Sequence, residues 1–500
     1  MFQFPKIIQG GMGVGVSNWR LAHAVSKAGQ LGVVSGTALD QVFVRRLADG
    51  DQDGHMRRGV DAFPFPEMAR RLWQEYFVAG GKPEGAPYPT TPMHQRREPR
   101  KLVELCMVAN FVEVFLAREG HENPVGINFL EKVQLPHLAS IYGAMLAGVG
   151  YVLMGAGIPL HIPGVLDAFA DHRMAEYKLS VSGALPAEGE SPTMLLNPAD
   201  YSEGALPRLT RPYFLAIVSS NTLASTMLRR ANGVVNGLVV EGPTAGGHNA
   251  PPRGKMQLNA GEPLYGDRDR VNVAELRDLG APFWLAGGYG SRARLAEALS
   301  QGATGVQVGT AFAFSRESGL RDDLKNRLLA QAAAGTGQVF TNPLASPTGY
   351  PFKVAQLEGS LSDAPVYEDR NRVCDLGFLR ELYATPDGAI GYRCSAEPAA
   401  CFQKKGGDEA ATAGRICLCN ALLSNIGHAQ IRRNGSLEPP LVTVGDDLNT
   451  VARFLAPGRD SYSAADVIES ILDSAKADTA VADTTAVSES VEEPAVTHAA

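Results

Sequence analysis

The sequence predicts an α/β chain folded as a closed (β/α)₈ TIM barrel, and three observations carry that prediction. Short apolar runs alternate with segments of helical periodicity, which is the pattern of a parallel sheet with crossover helices. There are eight such runs, a number that suggests closure rather than an open sheet. Glycine-rich turns follow several of them, where a barrel of this type presents its ligand-binding loops. The runs are Pro5–Gln9, Leu31–Ser35, Val125–Phe129, Gly150–Met154, Tyr213–Val218, Gly237–Val240, Phe283–Ala286 and Gly305–Val308. Helical patterns follow at Trp19–Ala28, Lys101–Arg118, His137–Ala147, Ile162–Ala170, Asn221–Ala231, Val273–Leu279, Ala293–Ser300 and Leu320–Ala333.

The barrel is expected to span residues 1–340, with insertions near 51–99 and 171–211. Both insertions fit no barrel strand, and each is a candidate lid or partner surface as much as a decorated loop. Residues 341–457 read as a C-terminal extension, followed by a short helix at Ser461–Ser474. The tail at 475–500 has no periodicity and is expected to be disordered.

Composition bounds the function. The 500 residues are 45% hydrophobic and 20% charged, with a net charge of −7. These are ordinary globular values. No basic stripe is present to neutralise phosphates, which argues against a nucleic-acid partner. The N-terminus Met1-Phe-Gln-Phe-Pro lacks a basic n-region followed by an apolar h-region. No apolar run is long enough to span a bilayer, so no membrane partner and a cytoplasmic setting are expected. Five of the six cysteines, Cys374, Cys394, Cys401, Cys417 and Cys419, fall in one late segment. Without a secretion signal, such clustering suggests thiols or a metal rather than disulfides. An iron–sulfur or zinc site using four of the five is one expectation, and a set of unlinked buried thiols is the other.

Chemistry is expected where strands end. Gln9-Gly10-Gly11-Met12-Gly13-Val14-Gly15 allows backbone to pass close to a flat ligand. Asn128 brings a side-chain amide into an apolar run, where it needs a partner if buried. Glu241-Gly-Pro-Thr-Ala-Gly246-Gly-His248 places an imidazole behind two glycines at a strand's end, suited to proton transfer. Ala286-Gly287-Gly288 and Gln307-Val308-Gly309-Thr310 follow the last two strands, where barrels of this class commonly bind phosphate on backbone N–H groups. No nucleophile elbow and no His-Glu-x-x-His set accompanies His248.

Together, Ile7-Ile-Gln-Gly-Gly-Met-Gly, Glu241-Gly-x-x-Ala-Gly-Gly-His248, Ala286-Gly-Gly and Gln307-Val-Gly-Thr310 resemble the nitronate monooxygenase (2-nitropropane dioxygenase-like) family. The resemblance implies an FMN-bearing barrel. By it, Gly10, Gly11 and Met12 line the flavin, and Asn128, Glu241 and Gly246 lie beside it. Gly287 and Gly288, with Gln307, Val308, Gly309 and Thr310, hold its phosphate, and His248 falls at the catalytic base. The implied reaction oxidises an alkyl nitronate with O₂ to a carbonyl compound and nitrite. NAD(P)H-dependent enoyl or quinone reductases share the barrel and form the alternative. Ser346-Pro-Thr-Gly-Tyr-Pro-Phe-Lys353 is similar to a segment of the enoyl reductase partners of polyunsaturated fatty-acid synthases. The chain departs from the family pattern after His248, where Asn249-Ala-Pro-Pro-Arg253 replaces the usual glycine-containing continuation.

Overall fold

The computed structural model describes residues 4–184, 192–204 and 206–472. Eight strands form one parallel sheet: β1 (Ile7–Gln9), β2 (Gly32–Ser35), β3 (Val125–Leu130), β4 (Tyr151–Gly155), β5 (Tyr213–Val218), β6 (Gly237–Glu241), β7 (Phe283–Ala286) and β8 (Gly305–Val308). Each strand pairs with its sequence neighbour, and β8 pairs with β1. The seam between β1 and β2 closes through Leu31, whose N–H donates to the Ile7 carbonyl at 3.1 Å and whose carbonyl accepts from Gln9 N–H at 2.9 Å. The sheet is therefore a barrel, as expected.

Strands buried on both faces read as continuous apolar runs, which is why these eight were legible. Inside the barrel, Ile8, Leu31, Val33, Tyr151, Leu153, Leu215, Val239 and Trp284 pack on one another. The Trp284 ring is fully buried and its Nε1–H donates to the Pro5 carbonyl at 2.8 Å, satisfying the one polar group of that side chain. The opposite strand faces pack under the helices. Several helices start where a side chain caps them: Asn18 accepts from Leu21 N–H, Ser220 from Leu223 N–H and Ser291 from Arg294 N–H.

The first insertion adds no barrel strand, and its opening part is helical. Helices His55–Asp61 and Pro66–Tyr76 follow another at Leu39–Ala48. The second of these buries only Met68, Ala69, Leu72 and Tyr76, a narrow stripe that its many charges hide in the sequence. All three pack against helix Arg100–Arg118, which explains why that helix is buried on almost every side. On another side it meets helix His137–Leu146, where Gly143 permits contact: a Cβ there would stand 2.2 Å from the Met107 carbonyl oxygen. The second insertion carries an antiparallel hairpin, Ala175–Lys178 with Thr193–Leu196.

The extension begins with the hairpin Val339–Asn342 and Phe352–Ala355, continues through a second at Glu381–Ala384 and Ile390–Arg393, and includes helix Leu418–Ser424. It shares the main core: Ala355, Leu423, Val442 and Val444 belong to the cluster that also holds barrel residues Val306 and Val308. The last helix, Ala464–Leu472, starts at a reciprocal cap in which Ser463 N–H donates to Asp466 Oδ2 at 2.7 Å and Asp466 N–H donates to Ser463 Oγ at 3.1 Å. The tail predicted to be disordered lies outside the described residues. No helix among the described residues is long and apolar enough to cross a membrane.

Candidate active site

A cavity of about 250 Å³ opens at the C-terminal ends of the strands. Every residue that the family resemblance assigns to the flavin site or to catalysis lines it: Gly10, Gly11 and Met12 after β1, Asn128 on β3, Glu241, Gly246 and His248 from β6 onward, Gly287 and Gly288 after β7, and Gln307, Val308, Gly309 and Thr310 at β8. The glycines are there for close approach. A Cβ on Gly11 would fall 2.2 Å from Asn128 Cβ, so the backbone of the first turn lies directly against the β3 amide. Gly287 and Gly288 have φ of +93° and +77°, a region that L side chains rarely enter. Nothing lies within 4 Å of a Cβ built on Gly288.

Two side-chain amides of the cavity wall each keep a buried acceptor without a partner. Asn128 Nδ2–H donates to the Gly11 carbonyl at 3.1 Å, while its Oδ1 is buried without a partner. Gln307 Oε1 is likewise buried and unpartnered. Buried acceptors in that state mark where a ligand's donors belong. By contrast Gln9, on β1, is fully spent on structure: its Oε1 accepts from Val33 N–H at 2.9 Å and its Nε2–H donates to Ser17 Oγ at 2.8 Å.

His248 is half-buried in the cavity wall, and desolvation pulls its pKa down to about 4, so the ring is neutral at pH 7. Its Nε2 shares a 2.7 Å hydrogen bond with Ser346 Oγ, and Ser346 in turn bonds Thr348 Oγ1 at 2.8 Å. The Phe352 ring meets the imidazole edge-on at 4.8 Å. These contacts fix the ring's orientation. Glu241 is also half-buried, and the loss of solvent raises its pKa to about 7. The cavity wall therefore holds a neutral base and a carboxyl group poised between its two forms.

The extension supplies the third wall; among the described residues, none of 51–99 or 171–211 lines the cavity. Thr443 Oγ1 accepts from Gly247 N–H at 2.8 Å, Lys353 N–H donates to the Gly247 carbonyl at 3.0 Å, and Asp446 N–H donates to the Thr244 carbonyl at 3.0 Å. The loop bearing His248 is thus held from two sides by chain lying 100 to 200 residues further on. The Thr310 hydroxyl donates to Asp447 Oδ1 at 2.6 Å and accepts from Gly445 N–H at 3.0 Å. Asp447, Thr443 and Gly445 carry no motif in the sequence, and the sequence reading missed them. Ser346 did leave a signal, since it opens the Ser346–Lys353 segment noted above.

The late cysteines divide. Cys374, Cys394, Cys417 and Cys419 pack together, and Cys419 also lines the cavity. Cys401, on helix Ala399–Lys404, is exposed and stands apart from that group.

The fold and site define the class first: a (β/α)₈ barrel with its ligand cavity at the C-terminal ends of the strands. The nitronate monooxygenase family model matches residues 200–345, which run from before β5 to just past β8 and include His248. Over that stretch the chain is similar to the nitronate monooxygenase family. No curated protein matches it. Similar solved structures include FabK from Thermotoga maritima (17% identity, 94% of this chain and 91% of that one, TM-score 0.45). Another is a nitroalkane oxidase from Streptomyces ansochromogenes (15% identity, 93% and 94%, TM-score 0.44). A third is the enoyl reductase domain of MlnA from the macrolactin biosynthesis cluster of Bacillus amyloliquefaciens (10% identity, 92% and 91%, TM-score 0.42).

Proposed function

We propose that the cavity binds FMN and that the protein oxidises alkyl nitronates with O₂ to a carbonyl compound and nitrite. The observation that carries this reading is the convergence of a glycine floor and a neutral, oriented imidazole on one cavity. The residues present fit the cofactor. The unpartnered oxygens of Asn128 and Gln307 suit the N–H edge and hydroxyls of a flavin. The open backbone at Gly288, with Gly287 and Gly309, offers N–H groups for a phosphate. Bound there, the flavin would accept the electrons of the oxidation, while the chain supplies orientation and a dry wall.

The remaining steps belong to this chain's own residues. With a neutral nitroalkane, His248 takes the α-proton, and Ser346 holds the ring at the angle that permits it. The Phe352 face excludes water from that side. With a preformed nitronate no proton need be removed, and His248 only shapes the wall. Thr310 and Asp447 tie the end of the cavity to the extension rather than touch the reacting carbon.

The experiment is anaerobic mixing of the FMN-loaded protein with a nitronate, and separately with NADH and NADPH, followed by absorbance. Bleaching of the flavin band by the nitronate supports the proposal. Rapid bleaching by NADH or NADPH alone assigns the chain to the enoyl or quinone reductase reading instead. A protein that takes up no FMN refutes both.

A further inference from the structure

We infer that Asp40, His94 and Cys106 form a buried zinc site beside the active-site cavity. The three come from separate places in the fold: Asp40 from the first turn of helix Leu39–Ala48, His94 from the segment after helix Pro66–Tyr76, and Cys106 from helix Arg100–Arg118. Their exposures are only 3%, 2% and 1%. One carboxylate oxygen, one ring nitrogen and the sulfur all lie within 4.8 Å of one another. Among the described residues no other three side chains of these types, the late cysteines included, bring ligand atoms so close. The metal expected among the late cysteines is therefore placed here instead, on a donor set that the sequence did not announce.

The spacing is that of ligands around one ion. A tetrahedral Zn²⁺, bonded at about 2.0–2.1 Å to nitrogen and oxygen and about 2.3 Å to sulfur, sets N···O at about 3.4 Å and N···S at about 3.6 Å. His94 Nε2 lies 3.4 Å from Asp40 Oδ2 and 3.9 Å from Cys106 Sγ. The other ring nitrogen, Nδ1, donates to Glu98 Oε1, and the Glu98 side chain is itself 4% exposed. A carboxylate on the far nitrogen is the partner that fixes the ring of a metal-bound histidine. Charge fits as well: a thiolate, a carboxylate and a neutral imidazole balance Zn²⁺, which leaves no net charge on the ion and its ligands in a buried place. Three protein ligands leave the fourth position of the tetrahedron to a water molecule. Binding forms one Zn–S, one Zn–N and one Zn–O bond, and sends the Cys106 proton and any proton on Nε2 to solvent.

A plain ion pair of His94 with Asp40 and Glu98 accounts for less. The Nε2–H can serve one acceptor well, and Asp40 Oδ2, which also accepts from Gln41 Nε2–H at 3.2 Å, would be that acceptor. It gives no reason for the Cys106 sulfur to face the same nitrogen. The position also suits a brace. The Phe378 ring, part of the cavity wall, packs on the His94 ring at 5.3 Å, and Arg380 of the extension donates to the His94 carbonyl. Thr37 and Ala38, also in that wall, lead directly into the helix that carries Asp40. Zinc there joins the first insertion to two helices of the barrel layer at the cavity's edge.

The test uses the full chain, expressed with Zn²⁺ in the medium and dialysed against metal-free buffer, with zinc measured per chain. About one retained zinc is expected. Crystals of that protein should show, in a zinc-edge anomalous map, a peak at about 2.3 Å from Cys106 Sγ, a readout that needs no variant to fold. Glu98→Gln is expected to weaken retention about ten- to a hundredfold, and His94→Gln with Cys106→Ser by at least as much, whereas Cys374→Ser retains the metal. Zinc below about a tenth of an equivalent, an anomalous peak only elsewhere, or full retention in the His94→Gln, Cys106→Ser chain would each overturn the inference. Flavin content measured in the same samples keeps this outcome separate from the fate of the FMN reading, on which the zinc site does not rest.

Discussion

Replacing His248 by alanine offers the sharpest test of the proton-transfer role, because the structure fixes the expected pH dependence. Desolvation lowers the imidazole pKa to about 4. At pH 5 about 90% of the rings are then unprotonated, against roughly 3% for a histidine at its ordinary pKa. For a neutral nitroalkane, kcat/KM should therefore stay level from pH 8 to 5 and fall tenfold per unit only below about pH 4. Loss of the base should cost about 10²–10⁴ in that rate. The same variant should oxidise a preformed nitronate at a rate near that of the parent, since that substrate has no proton to give. The assay is nitrite release from nitroethane and from ethyl nitronate, each across the pH range, at matched flavin content. An inflection near pH 6.5 would contradict the desolvated, neutral ring. An inflection near 7 that vanishes in Glu241→Gln would move the base to Glu241, whose pKa is raised to about 7. Equal losses on both substrates would show that His248 shapes the cavity and moves no proton.

Three further outcomes follow from local geometry. Gly11→Ala places a Cβ 2.2 Å from Asn128 Cβ, so one backbone must shift; we expect a lower urea midpoint and weaker FMN retention on dialysis, and no change in either would contradict the close approach. Trp284→Ala empties the barrel interior and should cost about 3–5 kcal/mol in urea unfolding; a loss under about 1 kcal/mol would mean that the interior is not packed as described. His137 is buried with Nε2–H donating to the Leu130 carbonyl at 3.1 Å, and its Nδ1 has no partner. Burial lowers its pKa to about 4, so the unfolded chain binds the extra proton first as pH falls below about 6.5. Its contribution is whole above that pH and declines towards pH 4, by up to about 3 kcal/mol. His137→Leu should flatten that part of the stability–pH curve measured by denaturant titration, and an unchanged slope would refute it.

The barrel was legible because its strands are buried on two faces and most of its helices carry an apolar stripe. The floor of the site was legible for a related reason. Glycines at strand ends, such as Gly11 and Gly288, answer to close approach and to positive φ, and both leave a mark in the sequence. What stayed hidden are walls made by tertiary return. Asp447 meets Thr310 across 137 residues, and Thr443 meets Gly247 across 196. A lone Asp or Thr in a loop announces nothing about such a partner. The helices of the first insertion stayed hidden for another reason: helix Pro66–Tyr76 contributes a stripe of four residues to the core, and its arginines and glutamates mask the period.

The extension gives the site its particular character. In a bare barrel the loop after β6 would face solvent, and His248 would titrate near its ordinary pKa. Here Ser346, Phe352 and the 443–446 segment enclose that loop, and enclosure lowers the imidazole pKa and raises that of Glu241. A Cβ on Gly246 would lie 2.8 Å from the Val444 carbonyl carbon, so the two segments meet with no space between them. The buried Lys353 ammonium, bonded to Thr341 Oγ1 at 2.8 Å and paired with Asp446 at 2.6 Å, clamps the hairpin to that segment. Lys353→Met removes the pairing while keeping the apolar stem, and leaves Asp446 to solvent. If enclosure sets the titration of His248, this variant should move the acid limb of the nitroalkane profile upward from about pH 4 towards 6.5 without abolishing FMN binding. A profile that stays put would show that the β6 loop is dry by its own packing, and that the extension serves the cavity in some other way.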